Sequence, residues 1–167
     1  MRQASGNGNG LNNWKAGTDP CSNPGWAGVR HLVWCDGSGA VVTLDLGYDD
    51  AAKGLTGHIA ALAPLTALTY LDLGGTAVAG DVSGLAPLTA LTHLDLGNTA
   101  VTGDVSTLAP LKALTELVLA LNLKLTGAAS SLDPLTKLTC LLLYGTAVTG
   151  CPAFCAAHNA IGDCECP

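Results

Sequence analysis

Three carboxylates pose the chemical question. Asp45, Asp72 and Asp95 each occupy the middle of a recurring Leu-Asp-Leu tripeptide. If those tripeptides are neighbouring strands, the side chains stack about 5 Å apart, a spacing at which like charges repel unless something compensates them. Two readings follow: a solvated acidic face that keeps a sheet soluble, or an acidic strip for a cationic ligand, a peptide or Ca²⁺. Tyr70 and His93 lie two residues before two of these carboxylates, and Glu116 takes the same place one unit later. Further on, the aspartate column becomes Val118 and Leu142, flanked by Tyr144. An acidic half joined to an apolar half is a surface for peptide or protein contact.

Other constellations are weaker. His31, His58, His93 and His158 fall in different segments, and no Ser or Cys elbow accompanies them. Nothing supplies a nucleophile, base and orienter together, so no enzyme and no cofactor are expected. The run Gly6-Asn7-Gly8-Asn9-Gly10 superficially matches a phosphate loop, but nothing strand-like precedes it. Cys151, Cys155, Cys164 and Cys166 lack the paired CxxC spacing of a zinc knuckle, so no metal site is expected.

The elements that must position these groups are repeats. Leu65 to Pro110 contains one unit twice, as LTALTYLDLGGTAVAGDVSGLAP and then LTALTHLDLGNTAVTGDVSTLAP. Leu65, Leu88 and Leu111 are 23 apart, and Leu135 follows after 24 because one residue is added around Leu123-Lys124. A divergent copy starts near Val41, which gives about five units ending near Gly150. Within a unit, Leu71-Asp72-Leu73 alternates with period two, so it reads as a short strand with its leucines on one face. Leu65, Leu68, Val78, Val82 and Leu85 supply further apolar positions, and Pro64, Pro87, Pro110 and Pro134 mark the corners. So few buried side chains do not outweigh the ordering of 23 residues, and one unit alone should not fold. Stacked coils share a core and a parallel ladder, and the stack needs a cap at each end. Thr76, Thr99, Asn122 and Thr146 form a column suited to satisfying the backbone of the turn after each strand. The period and the LxxLxxLxLxxN/T pattern are those of the leucine-rich repeat.

Composition narrows the field. At 167 residues, 49% hydrophobic, the chain is expected to form one domain with ample core. Charged residues make up 12% and the net charge is -6, which disfavours nucleic acid and anionic membrane surfaces as partners. No apolar run approaches the 18 residues that suggest a membrane span. The seven cysteines crowd the two ends, a distribution that points to disulfide-stapled caps and an oxidising compartment. Met1 to Gly6 lacks the apolar core of a signal peptide, so the expectation is a leader already removed or an added Met1.

Trp14, Asp19-Pro20-Cys21, Trp26-Ala27-Gly28-Val29 and Cys35 run straight into the first strand. This order resembles the N-terminal cap of plant-type and algal extracellular leucine-rich-repeat proteins, and the likeness extends to about Gly150. The family's LTG motif stands at Leu55-Thr56-Gly57 and Leu125-Thr126-Gly127, with relatives at Val101-Thr102-Gly103 and Val148-Thr149-Gly150. One departure is the apolar insert Arg30 to Trp34. The resemblance implies that Trp14 and Trp26 cover the first coil and that a Cys21–Cys35 bridge closes the cap loop. The expected organisation is a cap over 1–40, repeats over 41–150 and a second cap over 151–167, forming one α/β repeat solenoid with its parallel sheet on the concave face. Cys151, Cys155, Cys164 and Cys166 allow three pairings, which stay open, and Cys140 is the candidate unpaired thiol.

The resemblance implies non-catalytic recognition, secreted or at the cell surface, of a protein, peptide or glycan through the concave face. Its candidate residues are Asp45, Tyr70, Asp72, His93, Asp95, Glu116, Val118, Leu142 and Tyr144. Two rivals remain at this level. One is a structural subunit of an extracellular filament or matrix that self-associates laterally. The other is an ice-binding solenoid, suggested by two threonine columns: Thr69, Thr92, Thr115 and Thr139, and Thr56, Thr102, Thr126 and Thr149. A paired Thr-x-Thr array on one strand is absent.

Overall fold

The computed structural model describes residues 33–48, 54–157 and 163–165. Each Leu-x-Leu tripeptide becomes a strand of one seven-stranded sheet, ordered β1-β2-β4-β6-β8-β10-β11. Its repeat strands are β2 (Val41–Asp45), β4 (Tyr70–Asp72), β6 (His93–Asp95), β8 (Glu116–Val118) and β10 (Cys140–Leu142). They pair in parallel with sequence-equivalent residues opposite: Asp45, Asp72, Asp95, Val118 and Leu142 line up across the five strands. The sheet gains one strand at each end beyond the expected five. Val33–Cys35 (β1), the last two residues of the apolar insert with the cysteine after it, pairs antiparallel with β2, and Asp163–Glu165 (β11) adds in parallel to β10. Trp34 stays exposed on β1.

The inward leucines make a single core. Leu44, Leu71, Leu94, Leu117 and Leu141, one from each repeat strand, are fully buried. The 3₁₀ turns Ile59–Leu62, Val82–Leu85, Val105–Leu108 and Ala129–Leu132 close the opposite side, each burying its first and last residue. The prolines follow directly after these turns, where a helix would otherwise continue. Helix α1 (Cys151–Ala157) succeeds the last coil and buries Cys151 and Phe154 against it. Trp14, Trp26 and Cys21 lie outside the described residues, as do Cys166 and the side chain of Cys164.

The LTG segments form a second ladder that the repeat pattern did not announce. Strands β3 (Thr56–His58), β5 (Ala77–Asp81), β7 (Ala100–Asp104) and β9 (Leu125–Thr126) run parallel in that order. Here the register slips by two: Thr56 faces Ala77, and Asp81 faces Thr102, so sequence-equivalent residues are not opposite. The slip seats each capping side chain over the next coil's glycine. A Cβ on Gly103, whose φ is +110°, would lie 2.6 Å from Asp81 Oδ1, and one on Gly127 2.5 Å from Asp104 Oδ1. Asp81 and Asp104 meanwhile accept hydrogen bonds from the Ser83 and Ser106 amides at 2.8 Å, capping the 3₁₀ turns.

Side chains on the turns satisfy the backbone as expected. Thr76, Thr99 and Thr146 donate to the carbonyls of Leu73, Leu96 and Leu143 at 2.6–2.9 Å. Buried Asn122 does more: its Nδ2 donates to Leu96 and Leu119 carbonyls, and its Oδ1 accepts from Thr99. The threonine columns are also engaged. Thr69, Thr92, Thr115 and Thr139 each donate to a carbonyl of the preceding coil at 2.9–3.0 Å. Thr126 and Thr149 bond Gly103 and Gly127 carbonyls more loosely, at 3.3 Å.

Candidate functional site

The outward face of the long sheet carries two adjoining columns. In the first, Thr43, Tyr70, His93, Glu116 and Cys140 stand in register. Tyr70 and His93 stack with ring centroids 4.1 Å apart and planes 2° from parallel. His93 Nδ1 meets Glu116 Oε2 at 2.9 Å, while Nε2 is buried without a hydrogen-bond partner. Three strands are thereby joined by a stack and a hydrogen bond. Cys140 is half-buried next in line.

The second column is the carboxylate strip. Asp72 Oδ1 accepts from the Gly74 amide at 2.8 Å and Asp95 Oδ1 from the Gly97 amide at 2.7 Å. Burial nevertheless raises both proton affinities, and neighbouring carboxylates add to it, Asp45 and Glu116 for Asp72, and Asp72 and Glu116 for Asp95: Asp72 is pushed above the ordinary carboxylate value and Asp95 to about 6. Among the described residues lysine or arginine stands only at Lys112, Lys124 and Lys137, all exposed and none on a strand of this sheet, and no ion pair joins them to either carboxylate. Val118 continues the column but is 8% exposed, so it seals the face instead of projecting from it. Leu142 is half-buried, and Tyr144, two residues on, is 38% exposed.

Glycines two residues beyond the aspartates make room for this arrangement. The Asp72 carboxylate fills the space where Gly47 would carry a Cβ, and the Tyr48 ring and Asp95 crowd the corresponding space above Gly74. Tyr48 itself has a φ of +50°, a conformation rare for a bulky residue. It occupies a column in which every residue has positive φ: Gly75, Asn98, Leu121 and Gly145 follow it. Its ring lies over Gly74 and Gly75, with the hydroxyl reaching toward Gly97. Burial, then the charges of Asp95 and Asp72, push that hydroxyl up to about 12. Tyr48 escaped the sequence reading, although its alignment with Gly75 and Gly145 carried the signal. Leu121, in the same column, is 49% exposed and lies against Gly145.

The strands place Asp45, Tyr70, Asp72, His93, Asp95, Glu116, Val118 and Leu142 in register, Val118 buried, with Tyr144 two residues beyond the last strand; Tyr48 and Leu121 stand in the turns beside them. Among the described residues, no group of three or more His, Cys, Asp or Glu is placed to hold a metal ion. His58 lies on the second ladder, far in register from His93, and caps the turn at Ala60. His31 and His158 are outside the described residues.

No protein-family model and no curated protein matches the chain. Solved structures do. An Arabidopsis thaliana BIR3–SERK2 complex contains a chain 27% identical, with a TM-score of 0.63 over 84% of this chain and 74% of that one. The Arabidopsis HAESA ectodomain, solved with an IDA peptide hormone ligand, is 26% identical with a TM-score of 0.58, over 67% of this chain and 20% of its own length. A Listeria monocytogenes internalin is 23% identical, TM-score 0.58, over 75% and 35%. The chain spans 20% of the HAESA chain and 35% of the internalin chain, and 17% and 18% of two further receptor chains that it matches. A parallel ladder that pairs equivalent residues of successive coils, closed by 3₁₀ turns and matched by these ectodomains, identifies the chain as a leucine-rich-repeat solenoid.

Proposed function

We propose that the chain is a non-catalytic extracellular recognition module that binds a peptide or protein through the outward face of its long sheet. The observation that carries this reading is the pair Asp72 and Asp95, held half-buried at a cost on a sheet face that no other element covers among the described residues. Charges kept in unfavourable surroundings concentrate at functional sites. The peptide-bound HAESA ectodomain and the BIR3–SERK2 complex support the ligand class. An oxidising location is supported by Cys35, Cys151 and Cys155, which are disulfide-bonded. The column of Thr69, Thr92, Thr115 and Thr139 favours no separate reading, since each hydroxyl donates to the preceding coil.

The test is a selection of displayed random 12-residue peptides on the immobilised protein. Binders are then compared on two variants: Tyr70→Ala with Glu116→Lys on the face, and Ser106→Lys with Thr107→Lys on the shallow depression of the opposite side. The expected result is loss of binding on the first and retention on the second. Equal retention on both would remove the sheet face as the site.

A further inference from the structure

The face is electrostatically one-sided, and that narrows the ligand. Four carboxylates, Asp45, Asp72, Asp95 and Glu116, point out from three neighbouring strand pairs, and among the described residues no lysine or arginine shares the face with them. His93 is committed to Glu116 through Nδ1 and to Tyr70 by stacking. Asp72 and Asp95 each use one oxygen on a glycine amide, and no other bond to their remaining oxygens occurs among the described residues. Neighbouring strands set the two carboxylates about 5 Å apart, a span that one guanidinium fork or ammonium group bridges. The Tyr48 ring fills the space above Gly74 with the Asp95 carboxylate beside it, so the ring flanks the acidic pair. Two strands further along, the face turns apolar at Leu142 and Tyr144.

We propose, resting on the recognition reading above, that the occupant is an extended basic peptide segment crossing the strands. Its Arg or Lys seats between Asp72 and Asp95 beside Tyr48, and an apolar side chain of the same segment covers Leu142 and Tyr144. From the midpoint of β4 and β6 to β10 is two and a half strand spacings, about 12 Å, and an extended chain covers that in about three to four residues. The ligand signature is therefore a basic residue and a large apolar residue three or four positions apart.

The same peptide selection tests it. Selected sequences should be enriched for Arg or Lys paired with Leu, Ile, Phe or Trp at that separation. A synthetic peptide from the enriched set should then bind the Asp72→Asn, Asp95→Asn double variant about tenfold more weakly than the native protein. The same peptide with citrulline replacing arginine should bind both proteins within twofold of each other. Asparagine keeps the oxygen that accepts from the glycine amides, so the turns persist, and a melting curve confirms it. Three results overturn the proposal while leaving the recognition reading in place: enrichment without basic residues, a basic residue without the spaced apolar partner, or equal loss for arginine and citrulline peptides. Binders indifferent to the face, or no binders, sink both readings. A doubled molar mass in light scattering that falls to the monomer in the double variant would assign the face to a second copy and overturn the peptide.

Discussion

Asp72 and Asp95 on the long sheet make the same local bond as Asp81 and Asp104 on the second ladder. Each carboxylate accepts a hydrogen bond from the amide two residues on, at 2.7–2.8 Å, and each pair recurs at the 23-residue period. The outcomes are opposite. The ladder pair is exposed, and hydrogen bonds from serine hold both carboxyls below the ordinary value. The sheet pair is half-buried, and desolvation, with the charges of neighbouring carboxylates, outweighs the same bond and raises both. One hydrogen bond is thus a stabilising cap in solvent and insufficient compensation on a crowded face. The ladder aspartates cap their own turns at a gain, whereas the sheet aspartates strain against the fold.

The sharpest way to break this comparison is to disturb the glycines that each set depends on. Gly103→Ala forces a Cβ onto a backbone at φ +110° and against Asp81, so it should destabilise the protein by about 2–3 kcal/mol in denaturant unfolding. Gly97→Ala on the sheet face carries no positive φ and meets only side-chain ends, the Tyr48 hydroxyl at 2.7 Å, Asp95 Oδ1 at 3.1 Å and a Val118 methyl at 3.3 Å, and should cost less, about 1 kcal/mol. Equal costs would mean that the ladder glycine is not a structural necessity.

Next in size is Asp95→Asn. Because its folded value of about 6 lies above the unfolded one, the native state binds more protons between about pH 4 and pH 6, and stability falls as pH rises through that window. Above it the ionised carboxylate is a standing cost. The neutral amide should therefore stabilise the protein at pH 7, on the order of 1 kcal/mol once solvent screening of the half-exposed group is counted, and flatten the slope between pH 4 and pH 6. Thermal melts across that range check it, and a destabilised variant at pH 7 would end the view that this residue strains against the fold.

Much of this was legible beforehand because the period fixes the long sheet. Once Leu71 and Leu94 are core, Asp72 and Asp95 must be opposite each other, and the column through Leu142 follows. The turn residues Thr76, Thr99 and Asn122 were legible for the same reason, since a short polar side chain beside a tight turn has few other partners. What escaped depends on geometry that the period does not carry. The second ladder slips by two residues, so aligning Thr102 with Thr126 by sequence misplaces both. The burial of Val118 comes from the packing of its neighbours, and its column position alone makes it look exposed. Tyr48 aligns with Gly75, Asn98, Leu121 and Gly145, a mixed column whose shared positive φ shows only in the backbone. The apolar insert before Cys35 read as a departure in the cap, and its end at Val33 to Cys35 proved to be an added edge strand because alternating Val33 and Cys35 can pack on the first coil.

The smallest expected effect is also the most discriminating. Asp81→Asn keeps an acceptor for the Ser83 amide, and Asn and Asp are comparable caps, so the change mainly removes a charge whose proton affinity is depressed. A depressed carboxyl contributes stability above its unfolded value that is lost as pH falls through its folded value. The variant should melt slightly lower than the native protein at pH 7, and the difference should persist at pH 5 and close only below the ordinary carboxylate value. Asp95→Asn should melt higher at pH 7, with its difference already shrinking at pH 5. The same substitution at two aspartates that make the same hydrogen bond then shifts stability in opposite directions and over different pH ranges. Shifts of one sign at both positions would show that local hydrogen bonding, and not the burial of the sheet face, sets the energetics of these residues.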